Sequence, residues 1–207
     1  VLGAAEHDPS AAGLLAGDTD YILLGVTAAG ALDTSFGTDG VDRADLGTAV
    51  VVSGAMDTLA GADAPWGLGI DSMDRVVVHG ATITHASGRT DTDFVLARRL
   101  ANGGADTAFG DSGRRLLDIG MANATGRSVT VLADDSMIGV GYMTSDVLVR
   151  PAGDPATTSQ QPVVWKLTSS GAFDATFATT DATTLPGVWH DFGTPLPARR
   201  NAEAYHA

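Results

Sequence analysis

Residues 93–113 read DFVLARRLANGGADTAFGDSG, and this stretch decides the fold because it recurs twice more in the chain. Residues 20–40, DYILLGVTAAGALDTSFGTDG, share nine of their 21 positions with it, without a gap. Residues 161–181, QPVVWKLTSSGAFDATFATTD, keep a glycine, an aspartate and a phenylalanine at the same spacing. An internal repeat of this size indicates an architecture of similar units placed side by side.

Each copy has three parts: an apolar run of strand length, a glycine-bearing turn, and an Asp-to-Phe segment. The glycine can adopt the positive φ of a tight turn, and the aspartate can accept hydrogen bonds from backbone amides two or three residues on. The phenylalanine is predicted to bury its ring between layers. The shared structural motif comprises Gly30, Asp33, Phe36 and Gly37; Gly103, Asp106, Phe109 and Gly110; and Gly171, Asp174 and Phe177.

A second, weaker repeat lies between the copies. Residues 68–78 and 129–140 both read as strand, two-residue polar turn and strand, which is a hairpin signal. Counting from one Phe-Gly to the next gives four strands: 41–46, 68–70, 75–79 and 94–100, and then 114–119, 128–132, 137–141 and 163–167. Four antiparallel strands per repeat is the unit of a β-propeller blade. We therefore expect an all-β, propeller-like array with two complete blades and a half-blade at each end.

The sequence resembles the bacterial delta-60 repeat family, whose pattern is Asp-Phe-x-Leu-x-Arg-Leu-x-x-x-Gly-x-Leu-Asp-x-Ser-Phe-Gly-x-x-Gly. Residues 20–40 and 93–113 carry the match, with Arg98 and Lys166 at the basic position. Gly25 departs from the pattern at that position, and the third copy lacks the final Gly-x-x-Gly. The resemblance implies a propeller-like repeat in an exported bacterial protein, secreted or at the cell surface, and implies no reaction.

The chain divides into a flexible lead-in over 1–13, a repeat domain over 14–181, and a closing strand with a polar tail over 182–207. Insertions at 47–66 and 142–162 interrupt the repeat. If the two end half-blades pair, the chain makes three blades, fewer than propellers usually have. We therefore expect the ring to be completed by another copy, or by another part of a longer parent chain.

Composition narrows the function classes. The chain has 207 residues, no cysteine and a formal charge of −13, so disulfides and thiolate metal sites are ruled out. An acidic surface argues against nucleic-acid binding. No apolar run has the roughly 20 residues of a membrane helix.

Paired carboxylates precede two equivalent strands, as Asp18 with Asp20 and Asp91 with Asp93. Carboxylates in loops suit Ca²⁺, so calcium is a candidate ligand, although capping of the strand-entry turn explains the same residues. The third copy has no such pair.

Other acids follow Phe-Gly, namely Asp39, Asp42, Asp45, Asp111 and Asp118. They could line a channel as the acid/base pairs of a polysaccharide hydrolase, or lie on solvated loops. Among the histidines, His79 and His85 lack the Gly-x-Ser-x-Gly elbow of a serine nucleophile, and His190 lies beside Asp191. His79 reads as a packed or surface strand residue.

Trp66, Trp165 and Trp189, with Tyr142, could form a sugar-stacking surface. Trp165 lies on an alternating strand, which favours its burial between blades instead. Trp66 and Tyr142, with Asp146 and Arg150 in the second insertion, are the candidate binding residues. The sequence favours a non-catalytic scaffold for protein assembly, or for protein or glycan binding through its insertions. The alternative is a hydrolase using channel-facing aspartates.

Overall fold

A computed structural model describes residues 1–6, 19–47, 51–52, 55–56, 63–83, 91–119, 122–145, 159–178 and 186–190. All regular elements within these ranges are strands, which confirms the expectation of an all-β protein there. The strands are β1 (Leu2–Glu6), β2 (Thr19–Leu24), β3 (Val41–Ala44), β4 (Val51–Val52), β5 (Ala55–Met56), β6 (Ala64–Ile70), β7 (Val76–Thr82), β8 (Asp93–Arg99), β9 (Arg114–Leu117), β10 (Asn123–Val131), β11 (Met137–Ser145), β12 (Ser159–Leu167) and β13 (Val188–His190). No helix in these ranges has the length and apolarity needed to cross a membrane.

The strands form three antiparallel sheets and one short hairpin. The first sheet has the order β1-β2-β3, the second β6-β7-β8-β9 and the third β10-β11-β12-β13, while β4 pairs with β5. The two predicted hairpins are present as β6–β7 and β10–β11. Their turns place Asp74 and Asp135 at φ angles of 59° and 60°, in the left-handed region that aspartate tolerates.

The predicted grouping of strands is wrong by one strand. The strand after each Phe-Gly pairs with the strand before the motif, so that Leu24 lies opposite Val41 and Ala97 opposite Arg114. The glycine-rich segment is thus a loop within one sheet and does not carry the chain to the next sheet. Positive φ angles of 58° at Gly37 and 91° at Gly40 permit this reversal.

Both ends of the chain also differ from the prediction. Leu2–Glu6, expected within a flexible lead-in, is strand β1 and pairs with β2. The strand predicted near residues 185–189 is present as β13, but it pairs with β12 and completes the third sheet. The expected half-blades are therefore a three-stranded first sheet and a complete third sheet.

The second sheet is packed between the other two. All seven residues of β7 are buried, whereas β2 has buried residues only at Asp20, Tyr21 and Leu23. Tyr21 and Val78 belong to the core between the first and second sheets, and Val77 and Trp165 belong to the core between the second and third. Because β7 is covered on both faces, it is apolar almost throughout, as strands buried on both sides are.

The final glycine of the motif is missing from the third copy, and Gly187 replaces it. The equivalent hydrogen bonds run from Gly25 N to Gly40 O at 3.0 Å, from Arg98 N to Gly113 O at 2.9 Å, and from Lys166 N to Gly187 O at 2.8 Å. Each holds the end of the loop against the strand that precedes it.

Ala178 explains why the third copy uses a more distant glycine. It stands where the first two copies have Gly37 and Gly110, at a similar φ of 57°. A Cβ on Gly110 would lie 2.3 Å from the carbonyl oxygen of Arg114, so alanine does not allow the short return to the next strand. The third copy reaches its fourth strand through a longer connection instead.

Candidate functional site

Three aspartates converge where the first sheet meets the second. Asp20 lies on β2, Asp45 follows β3 and Asp63 precedes β6, and each offers a carboxylate oxygen within 4.8 Å of the others. Asp20 and Asp63 are buried, whereas Asp45 is exposed. We call these residues the first acidic cluster.

Hydrogen bonds of the backbone and side chains of neighbouring segments hold the first acidic cluster in place. Asp63 N donates to Thr19 O at 2.7 Å, and Thr19 Oγ1 donates to Asp63 O at 3.0 Å. The Asp63 Oδ2 atom accepts Leu46 N at 2.8 Å, which ties the end of the first sheet to the start of the second. Arg43 Nε lies 3.4 Å from Asp20 Oδ2.

Burial makes Asp63 an unusual acid. The pKa of its carboxyl is raised to about 7, chiefly by removal from water and also by the charges of Asp45 and Asp20, against the opposing effects of Thr82 and the Leu46 amide. Near neutral pH both the protonated and the ionised form of this buried group are therefore populated. A positive charge near it would favour the ionised form.

Asp91, Asp93 and Asp118 form a second acidic cluster in the next repeat, with oxygens again within 4.8 Å. Thr92 makes the same two hydrogen bonds here that Thr19 makes in the first cluster. Its partner is Ala124, whereas the partner of Thr19 is Asp63. The second cluster therefore lacks a counterpart of Asp63, and Asp91 supplies its third carboxylate.

The two clusters contain three of the four aspartates for which sequence predicted calcium; Asp18 lies outside the described residues. The sequence indicated acid/base chemistry as a role for Asp45 and Asp118. However, Asp45 follows Asp20 by the same number of residues as Asp118 follows Asp93. That spacing is a signal that could have joined them. Asp63 had no such signal, because its counterpart Ala124 is not acidic.

The remaining acids proposed for hydrolysis lie elsewhere. Asp42 accepts two hydrogen bonds from Arg99, both at 2.6 Å, and Asp111 pairs with Arg115 at 2.8 Å. Asp39 lies on an exposed turn at a φ of 52°. Asp42 and Asp111 are thus each paired with an arginine, and Asp39 is exposed.

The candidate binding residues Trp66 and Tyr142 lie on strands β6 and β11, and Arg127 brings them together. Its guanidinium carbon is 4.7 Å from the Trp66 ring centre and 5.1 Å from that of Tyr142, and Nη2 donates to the Tyr142 hydroxyl at 3.1 Å. Trp66 is 56% exposed, so one ring face remains accessible. Asp146 and Arg150 lie outside the described residues.

His79 is a core residue, as one of the two sequence interpretations held. It is fully buried, stacks on Phe94 and accepts a hydrogen bond from Trp165 Nε1 at 3.2 Å. Burial lowers its pKa to about 3, so it stays neutral at physiological pH. Trp165 is fully buried as predicted, and Trp189 is 43% exposed. His85 lies outside the described residues, and His190 ends β13.

The repeated motif forms the joint between neighbouring sheets. In each copy the aspartate accepts the amide two residues on, as Asp33, Asp106 and Asp174 do at 3.0, 3.3 and 3.0 Å. The glycine of the next copy then fits against the phenylalanine of the copy before it. A Cβ on Gly103 would lie 3.2 Å from the Phe36 ring, and one on Gly171 2.8 Å from the Phe109 ring.

Equivalent hydrogen bonds cross the two joints. Gly37 N donates to Asn102 O at 2.7 Å, and Gly110 N donates to Ser170 O at 2.9 Å. The same glycine-on-phenylalanine contact and the same backbone bond thus recur from copy to copy.

Neither end of this series has its counterpart within the described residues. Gly30 has a φ of 81°, as Gly171 does, yet a Cβ placed on it would meet nothing within 4 Å. Phe177 occupies the position of Phe36 and Phe109 in the last copy, and it is half-buried as Phe36 is, whereas Phe109 is fully buried. A scan against protein-family models gave no match, and a search of curated proteins gave no significant match.

Proposed function

We propose that this chain is a non-catalytic β-repeat scaffold that assembles head to tail with further copies of itself. The observation that carries the proposal is the repeated joint between sheets. It uses one glycine, one phenylalanine and one backbone hydrogen bond, and it occurs twice with the same geometry. A contact that already recurs within a chain is a natural template for the same contact between chains.

The first and last copies of the motif supply complementary halves of a third joint. The first copy presents Gly30, above which there is open space, and the nearby Val26 and Leu32 are each 47% exposed. The last copy presents the half-buried Phe177. Next to it, Ala178 has a positive φ like Gly37 and Gly110, the two glycines whose amides donate across the internal joints. In the proposed assembly Phe177 of one copy packs on Gly30 of the next.

A propeller-like arrangement follows from the same proposal. The first strands of successive sheets approach each other, since β10 contacts β6 as well as β7 and β8. Heterologous contacts of this kind close into a ring when the rotation per unit allows it, and otherwise extend into a filament. Placement of the assembly outside a bacterial cell, secreted or on the surface, rests on the resemblance to delta-60 repeats.

Recognition of a protein or glycan is assigned to the insertions at 47–66 and 142–162, with the Trp66–Arg127–Tyr142 stack at their bases. An exposed indole face beside a cation suits stacking on a sugar ring or an aromatic side chain. A rigid array would display several such surfaces at fixed spacing.

The experiment is light scattering on the purified chain over a wide range of concentration. We expect species larger than the 21.0 kDa monomer. Phe177→Ala and Gly30→Ala should each reduce association, because one removes the ring and the other fills the space that receives it. Phe109→Ala is the matched internal control and should instead destabilise the fold by about 3–5 kcal/mol.

Two results would overturn the proposal. One is a compact monomer at every concentration. The other is association that Phe177→Ala and Gly30→Ala leave unchanged, since the contact would then lie elsewhere.

A further inference from the structure

Buried oxygen atoms without hydrogen-bond partners surround the first acidic cluster. Asp63 is 3% exposed, and its Oδ1 atom has no partner among the described residues. The fully buried Thr82 hydroxyl also has no hydrogen-bond partner among the described residues, and it lies close enough to Asp63 to lower the pKa of that carboxyl. Buried oxygens are rarely left unsatisfied in native proteins, so a group that satisfies them is expected here.

The Tyr21 hydroxyl is a third such oxygen. It is buried and has no hydrogen-bond partner among the described residues. Burial, and to a smaller extent the charge of Asp63, raises the pKa of this hydroxyl well above its ordinary value. Three buried oxygens from β2, β7 and the segment before β6 thus share one neighbourhood with the carboxylates of Asp20 and Asp45.

We propose that Asp20, Asp45 and Asp63 bind a calcium ion that joins the first sheet to the second. The ligand atoms are all oxygens, which hard divalent cations prefer. Oxygens on opposite sides of one calcium ion are about 4.8 Å apart, because each lies about 2.4 Å from it. The three carboxylates fall within 4.8 Å of one another and so fit around a single ion.

Access to the cluster is open on one side. Asp45 lies on a groove of about 600 Å³ that Arg43, Leu46 and Arg114 also line. An ion could enter there and keep water on its exposed side while Asp20 and Asp63 hold it from within. Arg43 reaches Asp20 Oδ2 at 3.4 Å and leaves Asp63 Oδ1 unpartnered, so it does not replace the ion.

The second acidic cluster provides the internal control. It also has three carboxylates within 4.8 Å of one another, but the third comes from Asp91, and Ala124 stands where the first cluster has the buried Asp63. The proposal concerns the first cluster alone, and it does not depend on the head-to-tail assembly.

The test compares thermal unfolding of the full chain after chelator treatment with unfolding in added CaCl₂. At about 100 times Kd we expect the midpoint to rise by roughly 5–10 °C. Asp63→Asn should abolish the rise, and Asp118→Asn, in the second cluster, should keep it. Asp45→Asn is the second variant, because an exposed side chain can be changed without disturbing the core.

Calorimetric titration in buffers of different ionisation enthalpy gives a separate measurement. Burial raises the pKa of Asp63 and so favours its protonated form, whereas calcium binds the ionised carboxylate, so binding should release protons. Asp63→Asn should show no such release.

Three outcomes would overturn the proposal. The first is no change in midpoint at millimolar calcium, as expected if Asp63 is simply protonated or holds a buried water. The second is a rise that survives both Asp63→Asn and Asp45→Asn. The third is an equal rise with sodium chloride of matched ionic strength, which would show only screening of carboxylate repulsion.

Discussion

The Phe109 ring lies against the backbone of Gly171 in the following repeat, so closely that a Cβ at position 171 would be 2.8 Å from the ring. The same Cβ would be 2.6 Å from Gly110 N, which donates to Ser170 O across this joint. Any side chain at residue 171 would therefore push two neighbouring sheets apart. This glycine is needed for a contact between sheets as well as for its own backbone angle.

Gly171→Ala and Gly30→Ala separate these two requirements. Both glycines have a φ of 81°, but only Gly171 is crowded. Gly30→Ala should cost about 1 kcal/mol of unfolding free energy from the left-handed backbone. Gly171→Ala should cost about 2–4 kcal/mol, since overpacking is added. Chemical denaturation of both variants, at concentrations where the chain is monomeric, measures the difference; equal losses would contradict the close contact.

Arg98→Met should strongly destabilise the protein. Arg98 is 3% exposed, and its guanidinium contacts Asp106 Oδ2 at 2.7 Å, Asp71 Oδ2 at 3.7 Å and Ser169 O at 2.6 Å. Without this guanidinium, the buried carboxylates of Asp106 and Asp71 lose a neighbouring positive charge. Breaking a buried ion pair in this way costs about 3–5 kcal/mol. Urea unfolding measures the effect.

Lys166→Met is the matched control for that change, because Lys166 holds the equivalent position in the third copy and pairs with Asp174 at 2.9 Å. Lys166 and Asp174 are more exposed, so we expect a smaller loss. A loss as large as that of Arg98→Met would show that burial does not explain the difference.

Asp63 should make stability fall as pH rises. Its folded pKa, about 7, is above the ordinary value of 3.8, so the folded state binds the proton more tightly. The contribution is complete below pH 3.8 and is lost as pH rises to about 7, by an amount on the order of 4 kcal/mol. The free energy of unfolding of the wild type and of Asp63→Asn, measured from pH 4 to 8 in the presence of a chelator, isolates the contribution of Asp63. The other carboxylates are common to both proteins. Parallel curves would contradict the raised pKa.

Trp165→Phe should cost about 1–3 kcal/mol beyond the change in packing, because it leaves the buried His79 Nε2 without its donor. In a Trp165→Phe, His79→Leu double variant the unsatisfied nitrogen is gone, so the loss should be smaller than the sum of the two single losses. Denaturant unfolding of the three variants tests this coupling. Additive losses would show that the hydrogen bond contributes little.

Local features of this protein were readable from the sequence. The apolar runs, the hairpins and the aspartate turns depend on residues within a few positions of each other, and most of them occur where the repeat predicted. Burial of Trp165 followed from alternation along one strand. These properties are local because strand period and turn chemistry act over short segments of chain.

Only the tertiary structure decided which edge each strand pairs with and which acids meet. A run such as residues 114–117 has the same pattern whether it ends one sheet or begins the next, so the grouping of strands could not be determined from the pattern alone. Asp63 joins Asp20 and Asp45 because the first and second sheets pack together. Trp66 and Tyr142 both contact Arg127 because the second and third sheets pack together. Contacts between residues far apart in sequence depend on the packing of whole sheets, which no single segment encodes.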